Sequence, residues 1–317
     1  MSQMVANPTR SRMVSSGRAF DPQNPYENWP SYAELPLDPS YPTKAAWGVW
    51  GADDVHGALN HITQVTIKTA ATEEIQTGQA FNLNLELNFI PRPILARRKP
   101  TIHLVKPGPQ SNDDVITLNT QASTQLDGLR HYPYSEPVEN RSRTYRFYND
   151  LITNYEEIIG GNMTDVLGIQ QAADKGIAAR GILLDYKGWM DSKNMSFDPL
   201  KAHAVAVSDL DKVAEWQGLK GDWARPGDIL LVRFGWIEAF SKLDDNQRQA
   251  IVLGSGEYIG VPASPATAEW LWSKKLAMVG GDNPAFEEHP VAVQDFDGEE
   301  RSLHQIMISG KFPYCSK

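Results

Sequence analysis

Apolar and polar positions along this chain change period several times, and each change predicts an element. In "QVTIKTAATEEIQTG" (64–78), Val65, Ile67, Ala71 and Ile75 form an apolar stripe, with Thr63 as N-cap and Gly78 as a stop, which predicts a helix. The next stretch, "AFNLNLELNFI" (80–90), alternates at period two and predicts a half-buried strand. Three short apolar runs bounded by glycine, "RGILLDYKGW" (180–189), "GDILLVRFGW" (227–236) and "KLAMVGGD" (275–282), predict buried strands. Helices are expected between them, around 165–178, 208–218, 241–253 and 265–274. Strands alternating with helices predict a mixed α/β fold rather than an all-β sandwich.

Residues 1–45 are rich in Pro, Ser and Asn and lack a periodic apolar face. They are expected to form a flexible N-terminal arm, mobile or laid over the surface, with the ordered α/β domain over 46–317. Neither an internal repeat nor a further linker is visible, so one domain is the expectation.

Composition narrows the function classes. The chain has 317 residues, 41% hydrophobic and 22% charged, enough for a large core. Its net charge of -9 supplies no basic stripe, which argues against nucleic-acid or anionic-membrane partners. No apolar run reaches membrane-spanning length, and the opening "MSQMVANPTRSRMVSSGRAFDPQNP" lacks a signal-peptide core. The single cysteine, Cys315, rules out an internal disulfide and a cysteine metal cluster. With no secretory route, the Asn-x-Ser/Thr triplets at Asn140, Asn162 and Asn194 carry little weight. A soluble, cytoplasmic protein is expected.

The most chemically loaded stretch is "LNTQASTQLDGLRH" (118–131). If 121–127 is extended, Gln121, Ser123, Gln125 and Asp127 share one face, and Ala122, Thr124 and Leu126 the other. An exposed polar strand edge would read the same way. Asp282, at the exit of a predicted buried strand, holds a position where α/β sheets place ligand sites, and could equally cap a turn. Trp47, Trp50, Trp189 and Trp236 read as packing residues, of which one or two could wall a pocket for a flat substrate. "GSGEYIG" (254–260) follows no predicted strand and is not read as a phosphate loop. His56, His61, His103, His203 and His289 receive no role.

"QASTQLDGLRH" resembles the His-x-Gly-Thr-His-x-Asp-x-x-x-His signature of the cyclase-like family, which includes kynurenine formamidases and isatin hydrolases. "WGVWGADDVHGALNHIT" is similar to the family's opening segment. "RGILLDYKGW", "GDILLVRFGW" and "VGGDNPAFE" are similar to its core strands, and "LHQIMISG" to its late histidine helix. The glutamine-bearing form most resembles a fungal-type branch. The resemblance spans most of 46–309. It implies a swivelling β/β/α fold with a mixed sheet and flanking helices, a homodimer, and a divalent metal that activates water against an amide or lactam.

Position by position, the resemblance sets Gln121 and Gln125 where the first two histidine ligands stand. It sets Asp127 at the aspartate ligand, His131 at the proton-transfer histidine, and His304 at a histidine of two-metal members. An amide oxygen is a weak ligand beside imidazole. The family's Gly-x-x-x-x-Glu stretch after the late helix is replaced here by "KFPYCSK", so a sheet edge left exposed or rebuilt is expected. The expectation is therefore no resident metal, with at most weak divalent binding and no other cofactor.

What remains is a carboxylate and two imidazoles, Asp127, His131 and His304, suited to proton transfer near neutral pH. Gln121, Ser123, Gln125 and Asp282 are the expected substrate contacts. Three functions stay open: metal-independent dehydration or cyclisation of a small cyclic or aromatic metabolite, as in secondary metabolism; metal-dependent hydrolysis of a cyclic amide, lactam or formamide; and a catalytically silent binding protein.

Overall fold

A computed structural model gives the fold and describes residues 25–90, 101–108, 110–137, 143–152, 157–158, 165–254, 256–290, 294–296, 299–310 and 314–316. Helix α1 (Gln64–Glu73) precedes two antiparallel hairpins, β1 (Thr101–Gly108) with β2 (Ser111–Thr117) and β3 (Tyr134–Pro137) with β4 (Arg143–Arg146). Then follow α2 (Gln170–Lys175), β5 (Gly181–Leu184), α3 (Tyr186–Ser192), β6 (His203–Ala204), α4 (Val207–Trp216) and β7 (Ile229–Val232). Next come α5 (Trp236–Ser241), α6 (Asp245–Leu253), β8 (Ile259–Gly260), α7 (Pro265–Lys274) and β9 (Met278–Gly281). Strands β10 (Gln294–Phe296) and β11 (Glu299–Arg301), a π-helical turn (Gln305–Ser309) and β12 (Tyr314–Ser316) complete the described elements.

The three glycine-bounded apolar runs become β5, β7 and β9, the core of a parallel sheet ordered β12–β9–β7–β5. Leu184, Val232 and Gly281 stand in register, so the segments leaving all three strands emerge at one rim. Ile182, Leu184, Leu230 and Val232 are buried against flanking helices, which is the apolar burial that drives such a layer together. The mixed α/β class expected from the sequence is the one observed.

Each sheet edge is handled locally. At β5 the Gln217 side chain acts as a short strand substitute, its amide donating to Leu183 O (2.8 Å) and accepting from Asp185 N (2.8 Å). At the other edge the chain's own tail, Tyr314–Ser316, pairs with β9 in parallel. The edge that the divergent tail raised as exposed or rebuilt is rebuilt.

Two expectations are corrected. Helix α1 forms with Thr63 as its cap (Thr66 N donates to Oγ1, 3.2 Å), yet it ends at Glu73 and buries none of its residues. It is tied to the body through charge instead, Glu73 to Arg225 (2.8 Å) and Glu74 to Arg225 (3.6 Å) and Arg180 (3.9 Å). The alternating stretch 80–90 forms no strand, and no strand pairs with it among the described residues. Phe81 and Leu83 are 73% and 69% exposed.

For the arm, expected to be mobile or laid over the surface, the described part lies against the body. Residues 1–24 lie outside the described residues, but 25–45 pack into the body, with Tyr32, Leu35, Tyr41 and Ala45 buried. Trp29 stacks on Trp272 (4.7 Å between rings), whose indole N–H donates to Pro30 O (2.8 Å). Isolated aromatics in turns anchor this stretch, an arrangement that leaves no periodicity in sequence.

Candidate functional site

Residues 119–131 fold as a turn-rich segment rather than an extended strand. Asn119 caps a 3-10 turn over Thr120–Ala122 by accepting from Gln121 N (3.0 Å), and the turn buries Ala122. Ser123 and Thr124 then tie the segment to Leu85, through Ser123 Oγ to Leu85 O (3.0 Å) and Leu85 N to Thr124 Oγ1 (3.0 Å). The four polar residues therefore do not line one strand face. Three side chains converge instead on a single atom, Asp127 Oδ1: Gln125 Nε2 at 3.0 Å, Gln121 Nε2 at 3.1 Å and His131 Nε2 at 3.4 Å. Asp127 is 2% exposed, and its Oδ2 is buried without a hydrogen-bond partner among the described residues. His131 is the exposed member of the group.

The next residue, Tyr132, sets its ring 6.3 Å from the His131 ring and 5.6 Å, edge-on, from that of His304. Ser309 Oγ donates to Tyr132 O (2.7 Å), fastening this loop to the π-helical turn that begins just after His304. His304 is buried and makes a very short contact from Nδ1 to Glu287 Oε1, while Leu303 N donates to Glu287 Oε2 (2.9 Å). Sequence reading missed Glu287. Its signal, a carboxylate five residues after Asp282, has meaning only once the chain folds back on itself.

Asp282 follows β9 at the sheet rim. Its carboxylate accepts from Phe234 N and from Gly235 N (3.0 Å to Oδ2). Burial raises its pKa, with the backbone N–H groups of Phe234 and Gly235 opposing that shift. Gly235 takes a left-handed conformation (φ 91°) to aim its N–H there. At Gly281 a Cβ would stand 2.6 Å from Phe234 Cε2, so the position has no room for a side chain. Asp282 shares a cleft of about 50 Å³ with Leu85, Gln121, Ser123, Trp236 and Asn283. Trp236 is the tryptophan that walls it, and its indole N–H is buried with no hydrogen-bond partner among the described residues.

The site residues thus fall into three neighbouring groups. Gln121 joins the cleft to Asp127, Tyr132 joins His131 to His304, and Asp282 reaches the cleft without touching Asp127. Among the histidines given no role, His61 is enclosed by Trp29, Trp50 and Tyr26, and His203 pairs with the Tyr186 hydroxyl (2.9 Å). The side chain of His103 lies outside the described residues.

The donor set can be tested against a divalent metal. Both glutamines turn an N–H toward Asp127, since the reverse amide orientation would set oxygen against oxygen at the same distance. The three side chains therefore do not present lone pairs to one point. Among the described residues no group of three or more His, Cys, Asp or Glu could hold a metal ion. These residues do not fit a tightly held divalent ion.

A protein-family model described as "Putative cyclase" matches residues 38–288. The chain belongs to this cyclase family. A crystal structure of a novel cyclase is similar at 27% identity, covering 86% of this chain and 83% of its own, with a TM-score of 0.68. Isatin hydrolase A from Ralstonia solanacearum is similar at 14% identity over 80% of this chain and 85% of its own, with a TM-score of 0.49. No curated protein matches. The cyclase match covers Gln121, Gln125, Asp127, His131, Asp282 and Glu287 and stops short of His304.

Proposed function

We propose that this cyclase-family chain is an enzyme of metal-independent acid/base chemistry, a dehydratase or cyclase acting on a small cyclic or aromatic metabolite of secondary metabolism. One observation supports it above the others: Gln121, Gln125 and His131 all direct nitrogen at Asp127 Oδ1. A carboxylate held by two amide donors and an imidazole is organised to orient a proton carrier and to compensate charge on it.

On this reading Asp127 holds His131, and His131, at the solvent side, carries the proton. Loss of water then needs a proton removed from carbon and another delivered to the departing hydroxyl, with no change of oxidation state overall. Gln125 steadies the substrate oxygen with its amide, a role worth about ten- to a thousand-fold in rate. Trp236 offers a flat wall to a conjugated compound, and Asp282 a carboxyl whose burial favours its protonated form.

The test uses chain dialysed against EDTA and incubated with a panel of cyclic β-hydroxy carbonyl compounds, read by mass spectrometry for loss of one water. Turnover that Asp127→Asn abolishes is the expected result. Hydrolysis of isatin or N-formylkynurenine that appears only after Mn²⁺ is added would replace this reading with a metal-dependent hydrolase. A ligand-dependent rise in melting temperature without turnover would mark a binding protein.

A further inference from the structure

Glu287 is a buried carboxylate with an unusual set of partners. It is 4% exposed, and its two oxygens are taken by His304 Nδ1 and by Leu303 N (2.9 Å). The backbone fixes it from the other side. Glu288 N donates to Val261 O (3.0 Å), and Gly260 lies so close that a Cβ there would stand 2.3 Å from the Glu287 carbonyl carbon. Burying a carboxylate is costly unless it is paired. A carboxylate kept only for stability is most simply satisfied by arginine, as Asp228 is by Arg180 in this same chain (2.6 Å). Glu287 takes an imidazole instead. That ring stands just before a π-helical turn, a distortion frequent at functional sites.

We propose that Glu287 is a positioning residue that fixes His304 as its Nδ1–H tautomer and leaves Nε2 as a proton acceptor, giving the site a second carboxylate–imidazole pair. The donation from Nδ1 to a carboxylate sets the tautomer and the orientation of the ring. The two pairs, Asp127–His131 and Glu287–His304, flank the single ring of Tyr132, whose backbone Ser309 holds. This proposal rests on the acid/base reading above and completes it. His304 Nε2 takes the proton from carbon, the C–H electrons form the new C=C bond, the C–O bond breaks, and the hydroxyl leaves as water with a proton from the His131 imidazolium. Solvent restores both rings to their starting states.

The experiment needs no substrate. Full-length chain is treated with diethyl pyrocarbonate, and acylation of His304 and His131 is followed by peptide mass spectrometry in wild type and in Glu287→Gln. In parallel, long-range ¹H–¹⁵N spectra of histidine-labelled wild type read the neutral tautomer of His304, which keeps the test independent of how well the variant folds. The expected results are an Nδ1–H tautomer, and acylation of His304 that slows at least about three-fold in Glu287→Gln while His131 is unaffected. Equal His304 rates, an Nε2–H tautomer, or no acylation of His304 in wild type would each overturn the proposal, since a base closed to a small electrophile is closed to a substrate. Those outcomes leave Asp127 and His131 untouched, whose own role is read separately through Asp127→Asn turnover.

Discussion

Gln125 Nε2 lies 3.0 Å from Asp127 Oδ1, so a position where the family resemblance sets an imidazole lone pair carries an N–H donor. Gln121 repeats the substitution at 3.1 Å. On the proposed reading, the two glutamines hold Asp127 as a hydrogen-bonded carboxylate where the resemblance implies a ligand cluster.

Asp127 and His131 are expected to act as one unit. Asp127→Asn and His131→Ala should each remove most turnover, and the double variant should be scarcely worse than the poorer single one. Gln125→Ala should be milder, on the order of ten- to a thousand-fold. Steady-state kinetics on the substrate found by the water-loss assay checks this, and full turnover in both single variants would move the site elsewhere.

Asp127 also carries stability. Asp127→Ala removes the acceptor that the Gln121 and Gln125 amides share, so its denaturant midpoint should fall. Gln125→Ala removes only one donor, so its denaturant midpoint should fall less. Equal midpoints for the two variants would contradict the hydrogen-bond assignment.

The parallel sheet was legible in sequence because β5, β7 and β9 are short apolar runs closed by glycine, even though β5 buries only one face and leaves Leu183 exposed. The hairpin of β1 and β2 was not, since "SNDDVIT" is exposed along its length and carries no burial pattern. Residues 80–90 misled in the opposite sense, showing strand periodicity without a strand to pair with. At the site, Gln121, Gln125, Asp127 and His131 were singled out through the family resemblance, and what brings them together is a turn and three converging contacts, not a strand face. Glu287 was invisible because its partner lies 17 residues away, across the fold.

His61 gives a pH prediction. Burial, and secondarily the Lys275 charge, lowers its pKa from 6.5 to about 3. The unfolded chain therefore binds a proton between those values that the folded chain does not. Stability should be full above about pH 6.5 and fall as pH drops toward 3, by on the order of a few kcal/mol. Urea midpoints measured across that range check the sign, and His61→Gln should flatten the slope.

The uncovered apolar side chains of α1 and the segment after it bear on assembly. Val65, Ile75, Phe81 and Leu83 are all exposed, within 19 residues of one another along the chain. Light scattering is expected to give the mass of two chains, the homodimer the resemblance implies. Phe81→Asp with Leu83→Asp should give the mass of one with unchanged circular dichroism. A wild-type chain of single mass would remove the dimer from the account.

The most direct test of the central claim is the metal content of chain purified without chelator. Because Gln121 and Gln125 offer N–H groups to Asp127, elemental analysis should find well under one equivalent of Zn²⁺ or Mn²⁺. Gln121→His with Gln125→His should raise that content without raising turnover of the native substrate. One equivalent of metal in the wild-type chain, retained through dialysis against EDTA, would contradict the account and return the site to metal-assisted hydrolysis.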